Sequence, residues 1–221
     1  MMPLRLDDRL RTAAELFPAC AYGADIGADH GRLSCYLLEK GICQRMCVAD
    51  ISAESLKKAD GLLHLRGLTD RADIIVGSGL TVLPQPAQAI AILGMGGHTL
   101  ASILEEGKNR LHGAQLILSA HTEMEWVRST LSRIGYRIAE ERIALAASRY
   151  YVMLRAETGE EAYTEKQCFL GPRLMEGCVR HYSEYLAWKT RMTAPKRTEA
   201  AARQTQWLKE EENRVRDGGH D

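Results

Sequence analysis

The feature that most restricts the fold is a repeated alternation of apolar, strand-like runs and helical patterns between residues 20 and 135. The clearest run is Ala89–Leu93, which is apolar at every position. A strand that is apolar on both faces is typical of a parallel sheet that is covered by helices on its two sides. The alternation therefore predicts an α/β domain built around a parallel sheet.

The other elements of this domain follow from the spacing of apolar residues. Strands are expected at Tyr22–Ile26, Arg45–Asp50, Ala72–Val76, Ala89–Leu93 and Gln115–Ser119. Helices are expected at Leu33–Lys40, after an N-cap at Ser52, at Thr99–Asn109 and at Glu123–Ile134. The first eighteen residues mix charged and apolar side chains, which predicts one more amphipathic helix.

The rhythm changes after the last of these helices. Tyr136–Ala146 and Arg149–Glu157 are two strand-like runs, and the break between them is too short for a helix. A strand that joins a parallel sheet in the antiparallel sense needs such a hairpin, whereas a dinucleotide-binding domain more often continues with parallel strands. The pattern favours the Rossmann-like class I methyltransferase sheet, which ends in a β-hairpin.

From Thr164 onward the pattern is almost entirely helical. An apolar stripe predicts a helix over Cys168–Trp188, and a polar helix is expected over Glu199–Arg216, with Pro195 between them. Two helices joined by a short proline-containing turn predict an antiparallel, coiled-coil-like helical hairpin. We therefore expect two domains, an α/β catalytic domain over residues 1–160 and a helical domain over residues 161–221.

Composition is that of a globular protein, because 45% of the 221 residues are hydrophobic and 26% are charged. No apolar run approaches the roughly 18–20 residues of a membrane span, and the N-terminus lacks the apolar core of a signal peptide. We therefore expect a cytoplasmic protein that has no membrane partner and is a monomer or a weak dimer. Formal net charge is zero, so a nucleic acid would have to be held by a local basic patch.

The cysteines give no sign of a metal site. They stand at Cys20, Cys35, Cys43, Cys47, Cys168 and Cys178, without a C-x-x-C pair. Reduced, partly buried thiols are expected of such cysteines in a cytoplasmic chain. Zinc ligands normally come in tighter pairs, so we assign no metal to this protein.

The loop after the first strand is rich in acids and glycines. Asp25 stands at the end of the strand and Asp29 in the loop, together with Gly27 and Gly31, and the spacing fails the G-x-G-x-x-G fingerprint. Acids here would repel a pyrophosphate but can accept hydrogen bonds from an ammonium group, while the following helix N-terminus can receive a carboxylate. S-adenosylmethionine carries both groups at its amino acid end. The alternative is a plain strand-to-helix turn.

Two further loops fit an adenosine. Asp50 closes the second strand about 20 residues after the first loop, where an acid can bind both ribose hydroxyls, although many strands end in Asp as a helix cap. The turn Gly77-Ser78-Gly79 follows the third strand, where adenosine-binding sheets meet the adenine ring. A surface turn is the alternative for this segment.

The most apolar strand is followed directly by Gly94-Met95-Gly96-Gly97. This is where the sheet order is expected to reverse, and open α/β sheets bind ligands there. The absence of a following Lys-Ser/Thr excludes a P-loop, and the absence of Asn/Asp-Pro-Pro argues against methylation of an exocyclic amine. A ring nitrogen with a free lone pair needs mainly alignment against the methyl group.

Taken in order, these motifs resemble those of the bacterial tRNA (adenine(22)-N1)-methyltransferase family. The resemblance runs from about residue 6 to residue 216 and also includes three shorter segments, Leu6–Leu10, Ile103–Gly107 and Phe169–Leu174. It implies transfer of a methyl group from S-adenosylmethionine to N1 of an adenine in the D-arm of tRNA. The sequence departs from the family at Ser78, where Asn or Asp is expected, and at Leu118–His121, where Leu-Gln-Pro-Asn is expected.

The resemblance also implies a set of site residues. The cofactor residues are Asp25, Gly27, Asp29, His30, Gly31, Asp50, Gly77, Ser78 and Gly79. The residues that the resemblance assigns to the methyl group and target base are Gly94, Met95, Gly96 and Gly97; His121, in the segment that departs from the family, is a separate candidate. No general base is required, because N1 of adenine attacks as a neutral nucleophile. His30 either contacts the ligand or bonds locally, and His121 either contacts the target base or is an ordinary loop residue.

The candidate RNA contacts are one aromatic residue and several cations. Alternation along a strand puts Tyr150 and Tyr151 on opposite faces, so only one of them can stack on an extruded base, and we assign Tyr150. The phosphate contacts assigned are Arg9, Lys189, Arg191, Lys196 and Arg197. The alternative for this last cluster is a solvated helix face. Alternatives to tRNA methylation are methylation of another RNA or a small molecule, and a non-catalytic nucleotide-binding module.

Overall fold

The computed structural model describes residues 4–177 and 179–218, which contain one seven-stranded sheet with helices on both of its faces. The strands are β1 Cys20–Ile26, β2 Cys43–Asp50, β3 Ala72–Val76, β4 Ala89–Met95, β5 Gln115–Ala120, β6 Tyr136–Ala146 and β7 Arg149–Thr158. The helices are α1 Asp8–Leu16, α2 Arg32–Glu39, α3 Ala53–Leu65, α4 Gly97–Glu106, α5 Met124–Arg133, α6 Glu165–Leu170, α7 Pro172–Glu176, α8 Tyr182–Thr193 and α9 Glu199–Asp217.

The strand order is β3-β2-β1-β4-β5-β7-β6. Strands β1 to β5 are parallel, whereas β7 inserts antiparallel beside β5 and β6 pairs with β7 at the edge. The chain passes from β3 at one edge back to β4 in the middle, so the strand order reverses between β1 and β4. The Rossmann-like methyltransferase sheet with its terminal hairpin is thereby confirmed.

The apolar strand β4 lies at the centre of the sheet. Ile90 and Ile92 belong to the core on one face, and Ala89 and Ala91 belong to the core on the other face. All four are fully buried, which explains why the run carries no polar residue. Only Gly96 separates β4 from α4, and this helix begins at Gly97 rather than at the predicted Thr99.

Helix α1 packs across the end of the sheet that carries the hairpin. Asp7 caps it, since its carboxylate accepts a hydrogen bond of 2.8 Å from the Leu10 N–H. Ala13, Ala14 and Leu16 form its buried face. The helix contacts β6, β7 and α2, and this packing brings its first turn to the carboxyl edge of the parallel strands.

The C-terminal helices differ from the prediction, because the single helix expected over Cys168–Trp188 is broken into α6, α7 and α8. Gly171 ends α6 with a φ of +108°, and a Cβ atom there would lie 2.9 Å from both Arg128 and Glu141. His181 has a φ of +66° before α8 begins. The bend at Gly171 closes the chain over the buried Arg128–Glu141 ion pair. Helices α8 and α9 pack together as the predicted pair.

Five of the six cysteines lie in the described ranges, and these five are free thiols. Cys178 lies outside the described residues. Within residues 4–177 and 179–218, no group of three or more His, Cys, Asp or Glu side chains could hold a metal ion. In the same ranges, no helix combines the length and the apolar character that crossing a membrane requires.

Candidate active site

A cavity of about 650 Å³ opens at the carboxyl edge of the parallel strands, beside the point where the strand order reverses. It brings together residues from loops that lie far apart in the sequence. The predicted site residues that line it are Arg9, Asp25, Gly27, Asp29, His30, Asp50, Gly77, Ser78, Gly79, Gly94, Met95 and His121. A volume of this size suits a nucleoside-sized ligand.

Three glycines assigned to the site from the sequence do not line the cavity. Gly31 precedes α2 with a φ of +63°, and a Cβ atom there would come within 2.7 Å of the Ala59 Cβ in α3. A Cβ atom on Gly97 would overlap the carbonyl oxygen of Glu123. Gly96 caps α4 through its carbonyl, which accepts from the Leu100 N–H at 3.0 Å. Gly31 and Gly97 let neighbouring segments approach closely, so they shape the cavity from outside its lining.

Asp25 is the deepest acid of the cavity. Only 3% of its surface is exposed, and its carboxylate accepts a 2.7 Å hydrogen bond from the Ser34 hydroxyl. Burial raises the pKa of Asp25 to about 6, although hydrogen bonds from Ser34 pull it in the opposite direction. A carboxylate held in this state gains from a nearby cation, because a positive group would offset the lost hydration.

Asp50 is held by two backbone amides at the end of β2. Its Oδ2 accepts from the Asp29 N–H at 2.9 Å, and its Oδ1 accepts from the Ser52 N–H at 2.8 Å. Each oxygen keeps a further lone pair, so the carboxylate can still accept from two hydroxyl groups. Asp29 itself lies at the exposed rim, where it accepts from the Ser55 hydroxyl at 3.2 Å and pairs with His30 at 3.4 Å.

The predicted adenine turn lies next to Asp50, because the Gly77 N–H donates to the Asp50 carbonyl at 2.9 Å. Gly79 has a φ of +61° and starts a short helical turn. Ile51 also lines the cavity, yet 75% of its surface is exposed. Sequence reasoning missed Ile51; its position directly after the acid that ends β2 was the available signal. An exposed apolar side chain here can pack on a flat ring.

His121 lies at the opposite end of the cavity from Asp50. Its backbone N–H donates to the Met95 carbonyl at 2.8 Å, and Gly94 beside it has a φ of +80°. Burial, together with the positive charges of Arg9 and Arg149, lowers the pKa of His121 below its ordinary value. The imidazole is therefore neutral at physiological pH and keeps one nitrogen able to accept a hydrogen bond.

The two adjacent tyrosines occupy opposite faces of β7, as expected, and Tyr150, the one assigned to the target base, lies on the face away from His121. Tyr150 packs into an aromatic cluster with Tyr185 and Trp188, at ring-centroid distances of 6.4 and 6.0 Å. Tyr151 lies beside His121, with the ring centroids 5.8 Å apart. The face of β7 that carries Tyr151 also carries Met153, which lines the cavity, so Tyr151 rather than Tyr150 lies on the cavity side of the strand.

The assignment of Lys189 to a tRNA phosphate also needs correction. Its ammonium group donates to the Phe169 carbonyl at 2.9 Å and lies 4.0 Å from the Phe169 ring centroid, so its side chain is engaged within the helical region. Arg191, Lys196 and Arg197 are exposed at the end of α8 and in the turn before α9. We call these three residues the α8–α9 basic patch. Arg9 stands apart from them, at the cavity.

Comparison with known proteins gives a consistent picture. The sequence profile described as tRNA (adenine(22)-N(1))-methyltransferase matches residues 23–216. A Bacillus subtilis (strain 168) protein with that description is 35% identical over 162 residues, which cover 72% of this chain and 68% of the relative. The crystal structure of the B. subtilis m1A22 tRNA methyltransferase is 26% identical, with a TM-score of 0.81 over 97% of this chain and 99% of that chain.

A Streptococcus pneumoniae protein, solved in complex with S-adenosyl-L-methionine, shares the fold with a TM-score of 0.88. It is 23% identical, and the alignment covers 94% of this chain and all of that chain. At that level of identity the match supports the architecture alone. The architecture extends through the C-terminal helices in these comparisons, because nearly the whole of each chain is aligned.

Proposed function

The chain belongs to the tRNA (adenine(22)-N(1))-methyltransferase family, and we propose that its cavity aligns S-adenosylmethionine with N1 of adenine 22 in tRNA. The observation that carries the proposal is the cavity itself. It joins a buried acid, a second acid fixed by backbone amides and glycine turns with positive φ at one sheet edge. Asp25, Asp50 and Gly27 contribute these three features.

The cavity fits the groups of S-adenosylmethionine. Asp25 would hold the ammonium, and the first amides of α2 would receive the carboxylate. Asp50 has two free acceptor positions for the ribose hydroxyls. Ile51 and the Ser78 turn would enclose the adenine. The volume of about 650 Å³ falls in the range of roughly 300–1,000 Å³ that is typical of such sites.

When bound, S-adenosylmethionine supplies a methyl group on a positively charged sulfur. The residues of this chain act by orienting the two reactants, since N1 of adenine attacks in its neutral form. His121 contributes through its neutral imidazole, which can accept a hydrogen bond from the exocyclic amine of the target adenine. Positive charge develops on that ring during transfer, so an acceptor at this position stabilises the charge.

The tRNA body is held by phosphate contacts outside the cavity in this proposal. The α8–α9 basic patch supplies exposed cations within an otherwise neutral protein. The catalytic domain over residues 1–160 would position the cofactor and base, and the helical domain over residues 161–221 would bind the tRNA. A cytoplasmic monomer or weak dimer is part of the same proposal.

Incubation with radiolabelled S-adenosylmethionine and an unmodified tRNA transcript tests this function. We expect label in the transcript that carries adenine 22 and background label in a transcript in which guanine replaces it. A second control uses the free nucleoside, which lacks phosphate contacts. Equal labelling of both transcripts would refute the position, and labelling of a small molecule alone would refute the tRNA substrate.

A further inference from the structure

We propose that Arg9 and Arg149, which both pack on the Tyr151 ring, form a clamp for the backbone phosphates that flank the target nucleotide. The proposal rests on the function proposed above and adds the residues that receive the nucleotide at the mouth of the cavity. Tyr151 acts as a positioning residue in this clamp. Arg149 and Tyr151 carried no assigned role in the sequence-based prediction.

The geometry of the clamp centres on the Tyr151 ring. The guanidinium carbon of Arg9 lies 5.3 Å from the ring centroid, and that of Arg149 lies 5.7 Å from it. Arg149 also donates to the His121 carbonyl at 2.7 Å, which ties the clamp to the candidate base contact. Two arginines from distant elements, α1 and the start of β7, therefore meet on one aromatic side chain.

The acids near this cluster balance only part of its positive charge. The Arg9 guanidinium reaches only Asp7 among the described acids, at 3.5 Å, and Arg149 pairs with no carboxylate in the described part of the chain. Other partly or fully buried arginines are neutralised: Arg128 pairs with Glu141 at 2.7 Å. Two cations that share one partly exposed carboxylate, Asp7, leave a net positive charge here, so this place favours an anionic ligand.

Each arginine also has an unused donor. The Nε atoms of Arg9 and Arg149 are buried and have no hydrogen-bond partner within residues 4–177 and 179–218. A buried donor without an acceptor is unfavourable, and a small rotation of the side chain toward an anion would satisfy it. The planar guanidinium offers two parallel N–H groups, which match the oxygens of a phosphate.

The position of the cluster points to the target nucleotide rather than to the cofactor. Met153 lines the cavity, and Tyr151 lies on the same face of β7, two positions nearer the strand's start. Leu154 pairs with Leu118, so the start of β7 projects past the end of β5, where His121 follows. The clamp thus borders the His121 end of the cavity, whereas the proposed cofactor carboxylate site is at α2.

The first test replaces each arginine with glutamine, alone and together, and measures tRNA binding at several salt concentrations. Each loss of a phosphate contact should weaken tRNA binding about tenfold and reduce the salt slope by about 0.7–0.9. The affinity for S-adenosylmethionine should change less than twofold. Lys108→Gln is the control, because this exposed cation precedes β5 and lies toward the amino ends of the parallel strands, away from the cavity. Unchanged tRNA binding by the double variant, whatever its cofactor affinity, would overturn the proposal.

Tyr151 separates positioning from simple folding. Tyr151→Phe keeps the ring and should retain tRNA affinity, whereas Tyr151→Ala should raise the KM for tRNA. The melting temperatures of these two variants should lie within a few degrees of each other. Tyr150→Phe provides a matched control on the other face of β7. Equal KM values for Tyr151→Ala and the parent protein would remove Tyr151 from the clamp.

A double-mutant cycle identifies the phosphate as the partner. A tRNA assembled with an uncharged methylphosphonate linkage on either side of nucleotide 22 should bind the parent protein about tenfold more weakly. The Arg9→Gln/Arg149→Gln protein should bind this modified tRNA and natural tRNA with equal affinity. If the arginine substitutions and the methylphosphonate linkage weaken binding independently, so that their effects multiply, the clamp is overturned. This result concerns the clamp alone when the parent protein still methylates adenine 22. Absence of methylation by the parent protein would instead overturn the proposed function.

Discussion

The buried acid Asp25 gives the most quantitative prediction. Its pKa is raised from 3.8 to about 6, so ionisation at pH 8 opposes folding by about 3 kcal/mol, at 1.36 kcal/mol per pH unit. The penalty is complete above pH 6, about half as large at pH 5 and absent below pH 4. Asp25→Asn mimics the protonated acid and keeps an acceptor for the Ser34 hydroxyl. This variant should therefore be more stable than the parent protein by about 3 kcal/mol at pH 8.

The same substitution should weaken cofactor binding. An ammonium group loses a charge-assisted hydrogen bond, worth roughly 1.5–3 kcal/mol, so affinity for S-adenosylmethionine should fall about 10- to 100-fold. Urea unfolding at pH 8 and pH 5 measures the first effect, and calorimetric titration measures the second. Asp60→Asn, at an exposed position in α3, is the control. A stability difference independent of pH, or an unchanged affinity, would refute the reasoning.

Four other predictions follow from the same structure. Gly97→Ala should lower the unfolding free energy by about 1–3 kcal/mol through overlap with the neighbouring loop, whereas Gly61→Ala, in open space on α3, should raise it by about 0.5–1 kcal/mol; urea titration compares them. Glu141→Gln leaves the fully buried Arg128 unpaired and should cost about 3–5 kcal/mol in the same assay. Replacing the α8–α9 basic patch with glutamines should lower tRNA affinity and its salt slope in filter binding, without changing cofactor affinity. Cofactor affinity should fall roughly tenfold per pH unit below pH 6, as Asp25 becomes protonated, and calorimetry in Asp25→Asn should show no such dependence.

Much of the fold could be predicted because its strongest signals are local. The apolar run in β4 can be recognised from its hydrophobic pattern, and the acids that close β1 and β2 can be recognised from their position at strand ends. Parallel strands bring those ends to one edge whatever their exact register, so Asp25 and Asp50 could be assigned to one cavity from the sequence.

The errors concern features that depend on tertiary packing. Gly31 and Gly97 look like ligand-contact glycines in the sequence, yet a close approach between two protein segments demands the same residue. Whether Tyr150 or Tyr151 faces the cavity depends on the hairpin register, which alternation alone leaves open. Lys189 was assigned to phosphate because it stands in a basic run, but its long side chain folds back onto Phe169.

The broken C-terminal helix has a similar cause. An apolar stripe at helical spacing predicted a continuous helix through Gly171, although the Gly171-Pro172 pair is a local signal for a break, because proline cannot continue a helix from the preceding turn. The buried ion pair beneath Gly171 requires backbone there and leaves no room for a side chain. That ion pair joins Arg128 on α5 to Glu141 on β6, and no local pattern reveals it.

The most direct test of the central claim is a crystal structure of the protein with S-adenosylhomocysteine, which locates the sulfur atom. We expect the ribose on Asp50, the amino group near Asp25 and the sulfur turned toward Gly94 and His121. A sulfur that faces away from His121, or a ligand bound outside this cavity, would contradict the assignment of the active site.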